Sequence, residues 1–259
     1  MHSPTPSTGP AASPAPLPPQ LRRADELDRS RAGLPSGHAR LDAELPGGGW
    51  ALGGLNEVLL PQAGALEWRL LAPALARRAR PLLLIGPPHE PHLPGLAAAG
   101  PLIWIAPDTP QQLLWATEQA IRSGDGGAVL AWLPRDAGPP QLRRLQAHAL
   151  ASHVPIFVFR APAAAAQASA APLRVQLRAQ GPWQIGLCVL KRRGPALEGW
   201  LALDATPPAL APLLTPRMRA AQFPARSGQR VPGVPTAAPV QPALLDDHAL
   251  ARPAAHAGP

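Results

Sequence analysis

Few residues in this chain have the type and spacing for chemistry. His89-Glu90-Pro91-His92 sets two imidazoles and a carboxylate close together, which could begin a metal site. Pro91 spoils the helical i, i+3 geometry for aiming both rings at one ion, and no cysteine cluster helps, so a loop with solvated histidines is the better account. Ser36 and His38 suggest a nucleophile and its base. The G-x-S-x-G elbow that exposes such a serine is missing, and Ser36 reads as a turn or cap residue. Lys191 is the only lysine among 24 basic residues, so any Schiff-base or phosphate-cradling amine must be this one. Lys191-Arg192-Arg193-Gly194 follows an apolar run. It reads equally as an anion contact (DNA phosphate or an acidic partner surface) and as a solvated turn. Trp50, beside three glycines, is the aromatic expected to be most exposed and could anchor a partner. Trp104, Trp115 and Trp132 alternate with aliphatic residues and are expected in core or interface rather than as base-stacking platforms.

The elements that would position these groups are legible as short apolar runs separated by helical patterns. Strands are predicted at 55–60, 82–85, 102–106, 128–133 and 156–160. The runs 173–179 and 183–190 alternate in a way that suits half-exposed antiparallel edge strands. The clearest helix is 110–122: Thr109 caps it, Pro110 takes the first position, Gln112 completes a capping box and Ser123-Gly124 ends it. Its apolar face is Leu113, Leu114, Thr117, Ala120 and Ile121. A second helix, 140–151, buries Leu142, Leu145, Ala149 and Leu150 and turns Arg143 and Arg144 outward. A helix after Pro61 offers Leu66, Leu70, Leu71 and Leu75 to the core, with Pro73 as a kink or as its true start. Nearly all-apolar strands alternating with helices imply an α/β fold with a central, mostly parallel sheet covered on both faces.

Composition bounds the rest. Of 38 prolines in 259 residues, 18 lie in segments 1–20 and 205–259, which predicts two Pro-rich, mostly disordered tails around a core domain at 21–204. Residues 21–32 suggest a short charged helix, and 242–252 a leucine-bearing island (Leu244, Leu245, Leu250) that reads as tail or as a partner-binding peptide. One cysteine, Cys188, excludes a disulfide scaffold and a multi-cysteine zinc module. The absence of an apolar run of about 18 residues, and of a secretory signal pattern, leads to the expectation of a cytoplasmic protein without membrane contact. The arginine excess fits a GC-rich coding sequence, and the net charge of +8 fits residence near nucleic acid.

The segment 35–61 carries S-G-x-x-x-L-D-x-x-L-P-G-G-G and then G-x-x-x-E-V, on Ser36, Gly37, Leu41, Asp42, Leu45, Gly47, Gly48, Gly49, Gly54 and Glu57. This order resembles the segment that leads RecA-family recombinases into their first core strand and phosphate loop. Residues 107–124, with a P-D-T turn, a helix and an R-S-G ending, resemble a second RecA segment. The resemblance implies a RecA-like phosphate-loop core. A working loop needs G-x-x-x-x-G-K-[ST], glycines baring backbone N–H groups, a lysine for the outer phosphates and a hydroxyl for magnesium. Here the matching stretch runs Leu60-Pro61-Gln62-Ala63-Gly64-Ala65-Leu66-Glu67, with Leu66 at the lysine position and Glu67 at the hydroxyl position. Trp132 stands where a strand-end carboxylate would hold magnesium. Pro87-Pro88-His89 stands where a catalytic carboxylate is expected, with Glu90 displaced by two residues.

With Trp115, Ala116, Glu118, Gln119 and Ala120, the run 128–134 and the L-K-R-R-G of 190–194, the chain looks like the bacterial ImuA family, RecA/SulA-related proteins of translesion synthesis. The resemblance spans about 30–205. It implies a non-catalytic accessory subunit of an SOS-inducible mutagenesis complex, with no cofactor. The implied partners are an ImuB-type pseudo-polymerase, an error-prone replicative-type DNA polymerase and RecA, with a weak DNA contact and residence at the nucleoid when DNA is damaged. Two alternatives stay open: a SulA-like inhibitor of cell division, and a nucleotide-dependent RecA paralogue that binds DNA.

Overall fold

The computed structural model describes residues 32–218 apart from 65, 77, 91–99, 208 and 209. The charged stretch expected at 21–32 lies outside these except for its last residue, Ala32, as do His92 and the leucines at 244, 245 and 250. Eight strands form one sheet: β1 (Leu55–Leu59), β2 (Leu82–Ile85), β3 (Leu102–Ile105), β4 (Ala128–Trp132), β5 (Ile156–Arg160), β6 (Leu173–Ala179), β7 (Gln184–Lys191) and β8 (Leu201–Asp204). Their spatial order is β3-β2-β4-β5-β1-β6-β7-β8. The first six in that order run parallel, and only the β6–β7 and β7–β8 pairings are antiparallel. The short helix α1 (Ala39–Asp42) precedes β1, α2 (Glu67–Leu75) follows it, α3 (Pro110–Ser123) links β3 to β4, and α4 (Pro139–Ala149) links β4 to β5.

The pleat sends alternate strand residues to two cores. Leu82, Leu84, Leu130, Trp132, Phe157 and Phe159 pack with the Leu70, Leu71 and Leu75 face of α2. Leu83, Ile85, Val129, Ala131, Ile156 and Val158 pack with α3 and α4 on the other face. The protein is thus α/β, with a mostly parallel sheet covered on both sides. No helix among the described residues is long and apolar enough to cross a membrane.

Local sequence explains the element ends. Thr109 Oγ1 accepts from the Gln112 N–H at 3.2 Å while Gln112 Oε1 accepts from the Thr109 N–H at 3.2 Å, closing the expected capping box. Gly124, at φ 66°, ends α3 in the left-handed conformation. Pro73 lies inside α2, so it neither starts nor stops that helix.

Three expectations need correction. β6 is not an edge strand: it pairs in parallel with β1 and antiparallel with β7. The polar residue Arg174 in its alternating pattern is buried against a carboxylate rather than turned to water. β7 is not an edge either, because the unforeseen strand β8 covers it. Leu150 is 53% exposed, since α4 stops at Ala149 and the following residue leaves the core face. Arg144 is exposed, as expected, and its guanidinium lies 2.7 Å from the buried Glu118.

Candidate functional site

β1 ends at the stretch that matches a phosphate loop, and α2 begins at Glu67. Gly64 takes φ 87°, a left-handed turn that bends the backbone toward the helix start. Exposed backbone N–H groups before a helix N-terminus form a ready anion site. In this loop the anion is supplied by the chain itself. The Glu67 side chain is fully buried and folds back over the loop. Its Oε1 accepts from the Gly64 N–H and from the Trp132 indole N–H at 2.8 Å, and its Oε2 accepts from the Leu66 N–H at 3.0 Å. A carboxylate in the first turn of α2 is also favoured by the helix dipole. The two residues that depart furthest from a metal- and phosphate-binding loop, Glu67 and Trp132, therefore bond to each other.

The surroundings fix this arrangement. Trp132 stacks on Phe159 with centroids 4.7 Å apart and lies 6.4 Å from the Trp68 ring of α2. Leu60 and Leu66 are both buried in the core, so the residue at the lysine position is a packing residue. Pro61 is exposed and has no N–H to offer. The Pro88-His89 turn after β2 closes over the loop: a Cβ added to Gly64 would lie 2.9 Å from His89 Cδ2. A cavity of about 200 Å³ remains beside the loop, bordered by Leu60, Pro61, Trp132, Phe159, Arg135 and Arg160. A phosphate entering the loop would have to displace the Glu67 carboxylate from donors that a buried anion already satisfies.

A second buried carboxylate lies next door on β1. Glu57 is fully buried, with Arg160 NH1 of β5 at 2.9 Å and Arg174 Nε of β6 at 2.7 Å. The Arg174 Nε contact is an ion pair without hydrogen-bond alignment, while Arg174 NH2 donates to Glu57 Oε1 at 3.3 Å. The guanidiniums also donate to the carbonyls of Ala137, Ala164 and Gln167 and to the Gln167 side chain. Because β1 lies between β5 and β6, this cluster clamps three strands in register. Its signal in the sequence was Arg160 closing the otherwise apolar β5, an expensive placement unless a carboxylate faces it; Arg174, in an alternating strand, gave none.

The approach segment is structural. The Ser36 N–H donates to Asp42 Oδ1 at 2.7 Å, and Ser36 Oγ accepts from the His38 N–H at 3.1 Å, which is the turn role expected of it. His38 Nε2 lies 3.3 Å from the Leu70 carbonyl on α2, and burial pushes its pKa down. Gly49 allows a close approach: a Cβ there would lie 2.1 Å from the Leu34 carbonyl oxygen. Leu34 and Trp50 form an antiparallel bridge across it. Trp50 is thereby fully buried, edge-on to Phe157 at 5.3 Å, so the expectation of an exposed anchor is overturned. The glycines serve backbone contact rather than display.

The basic run splits by role. Lys191 is the last residue of β7, exposed, with Nζ donating to the Ser169 carbonyl at 2.9 Å. Arg192 is engaged within the chain: its side chain is 13% exposed, NH1 lies 3.0 Å from Glu44 Oε2 and also donates to the Glu44 carbonyl. Arg193 is exposed beside a small hollow lined by Gly33, Pro46 and Pro172. His89 and Glu90 are exposed, and no group of three or more metal-ligating side chains occurs among the described residues. Of the three expected core or interface tryptophans, Trp132 is core, while Trp104 and Trp115 are 46% and 63% exposed. No protein-family model matches the chain, and no curated protein matches it.

Proposed function

We propose that the chain is a RecA-like core that has exchanged nucleotide chemistry for binding. It acts as a non-catalytic accessory subunit of an SOS-inducible translesion-synthesis complex. The observation that carries the first half is the Glu67 carboxylate seated on the Gly64 and Leu66 N–H groups and on the Trp132 indole. A nucleotide would meet a buried leucine where it needs a lysine, a buried carboxylate where it needs a hydroxyl, and an indole where it needs a magnesium ligand. The strand β1, the loop and α2 are arranged as a phosphate-loop unit, and the tip of β4 converges on it, which supports the RecA-like reading. The second half rests on the resemblance of 36–60, 107–134 and 190–194 to ImuA proteins, with an ImuB-type pseudo-polymerase, an error-prone polymerase and RecA as partners.

The test is a pull-down of the full chain from damage-treated cells, with ATPase activity and thermal shift by magnesium-ATP measured on the same sample. The expected outcome is capture of both polymerase-type partners, no turnover and no shift. An eluate lacking both partners removes the accessory role. A nucleotide-dependent shift restores the recombinase-paralogue alternative, and filamentation on overexpression favours the division-inhibitor alternative.

A further inference from the structure

At the sheet end opposite the filled loop lies a cavity of about 750 Å³. It opens where β2, β4 and β5 begin and where α3 and α4 finish. Arg78, Arg80 and Arg122 line it, together with His148, His153 and Ser123. No Asp or Glu is among its lining residues. That volume matches small-ligand sites, which run from about 300 to 1,000 Å³.

The ordinary reason for cations here is the pair of helix C-termini, and it falls short. Each helix end presents about half a negative charge, so the two supply about one against three guanidiniums. Arg80 uses part of its capacity in that way, NH1 donating to the Gly124 carbonyl at 3.1 Å. Asp125 on the same turn is exposed and offsets at most one more charge. The nearby buried carboxylate, Glu118, is engaged by Arg144 at 2.7 Å and His148 at 3.1 Å. Those contacts, led by the Arg144 hydrogen bond, hold its pKa low. Arg78 is half-buried, and among the described residues no carboxylate pairs with it; burial lowers its pKa. Two of the arginine backbones run close against glycines. A Cβ on Gly127 would lie 2.4 Å from the Arg80 carbonyl oxygen, and one on Gly100 2.5 Å from that of Arg78.

We infer that this cavity binds phosphate groups, and that its ligand is the phosphodiester backbone of single-stranded nucleic acid. Guanidinium forks match phosphate oxygens in pairs, which a serine hydroxyl and imidazoles supplement. No Trp or Phe lines the cavity, so it holds backbone rather than stacked bases and carries no sequence preference. A free oligophosphate shares this chemistry, and the experiment separates the two.

The full-length chain is titrated with fluorescein-labelled oligothymidylate of about 20 nucleotides, and separately with tripolyphosphate, at several salt concentrations. The variants are the combined Arg78→Gln, Arg80→Gln, Arg122→Gln chain and the single Arg122→Glu at an exposed position, each checked for folding by urea unfolding. Arg217→Glu, exposed and outside the cavity, controls for net charge. Three phosphate contacts give a slope of log affinity on log salt of about −2, a roughly 20-fold loss between about 50 and 200 mM. The combined variant is expected to flatten that slope by about 2, and Arg122→Glu to weaken binding several-fold more than Arg217→Glu does. Tripolyphosphate binding that vanishes in the variants, without oligothymidylate binding, assigns the cavity to free oligophosphate. Equal binding by the wild-type chain and both cavity variants, or no binding of either probe, overturns the inference.

Discussion

Glu57 and Glu67 are ten residues apart on either side of one loop, both fully buried and both needing partners for a charge in the core. The chain solves the two cases in opposite ways. Glu57 has two guanidiniums, so its cluster is cationic overall and bound into three strands. Glu67 has no cation within ion-pair distance among the described residues; its partners are two backbone N–H groups and an indole. The first arrangement is what a fold does with a structural ion cluster. The second is what a fold does with a ligand, because neutral, converging N–H donors at a helix start are how phosphate is held. The loop has the geometry of an anion site, and the Glu67 carboxylate fills it from within.

The largest expected effect comes from breaking the Glu57 cluster. Glu57→Gln leaves two buried arginines without a counter-charge and should destabilise the chain by about 3–5 kcal/mol, read by urea unfolding. Replacing Glu57, Arg160 and Arg174 together by apolar residues of similar size should restore much of that loss, because it removes the unpaired charge as well as the pair. If the triple replacement is no better than Glu57→Gln, the cluster contributes more than charge compensation.

Glu67 gives the next effect, and one of a different kind. Glu67→Ala orphans three donors and should cost about 2–4 kcal/mol, while Trp132→Phe, which keeps the ring packing and removes one donor, should cost about 1 kcal/mol. Unlike the Glu57 variants, the alanine chain should gain an anion site. Sulfate or phosphate at about ten times its Kd would return about 1.4 kcal/mol, beyond the general salting effect seen on the wild-type chain. The measurement is the difference in thermal midpoint between the two chains across an anion titration. A difference that stays flat shows that the loop collapses once its carboxylate is gone.

The sequence exposed these two regions unequally. The strands at 82–85, 156–160 and 173–179 and the helix from Pro110 were legible because apolar runs and capping residues act locally. That Leu66, rather than a lysine, follows Ala65 was legible too. That Glu67 would bind the loop was not, since its acceptors meet donors only after Gly64 turns the chain back and β4 brings Trp132 alongside, 65 residues away. Arg174 misled for the same reason: alternation in β6 resembles a wet face until Glu57 arrives from β1. Trp50 misled through its glycines, which suggested a display turn and instead let Leu34 pass close by. β8, four residues of middling exposure, carries too little pattern to be read without β7 beside it.

A smaller effect tests whether the approach segment is pinned to the loop's helix. His38 is held on the Leu70 carbonyl of α2, with Asp42 and Asp204 nearby, and burial outweighs all three in setting its charge, favouring the neutral ring. The folded chain thus binds a proton at His38 less readily than the unfolded chain, whose histidine titrates near 6.5. Stability from this residue is present above that pH and is lost as pH falls through 6.5 toward the lower folded value. The wild-type chain should therefore lose unfolding free energy between neutral and mildly acidic pH. His38→Gln, which keeps a side-chain donor for the Leu70 carbonyl and removes the titration, should flatten that part of the profile. Urea midpoints measured from neutral pH to about 5 separate the outcomes. Parallel slopes in the two chains would mean that His38 protonates on the folded protein at no cost, and that the segment is free to leave α2.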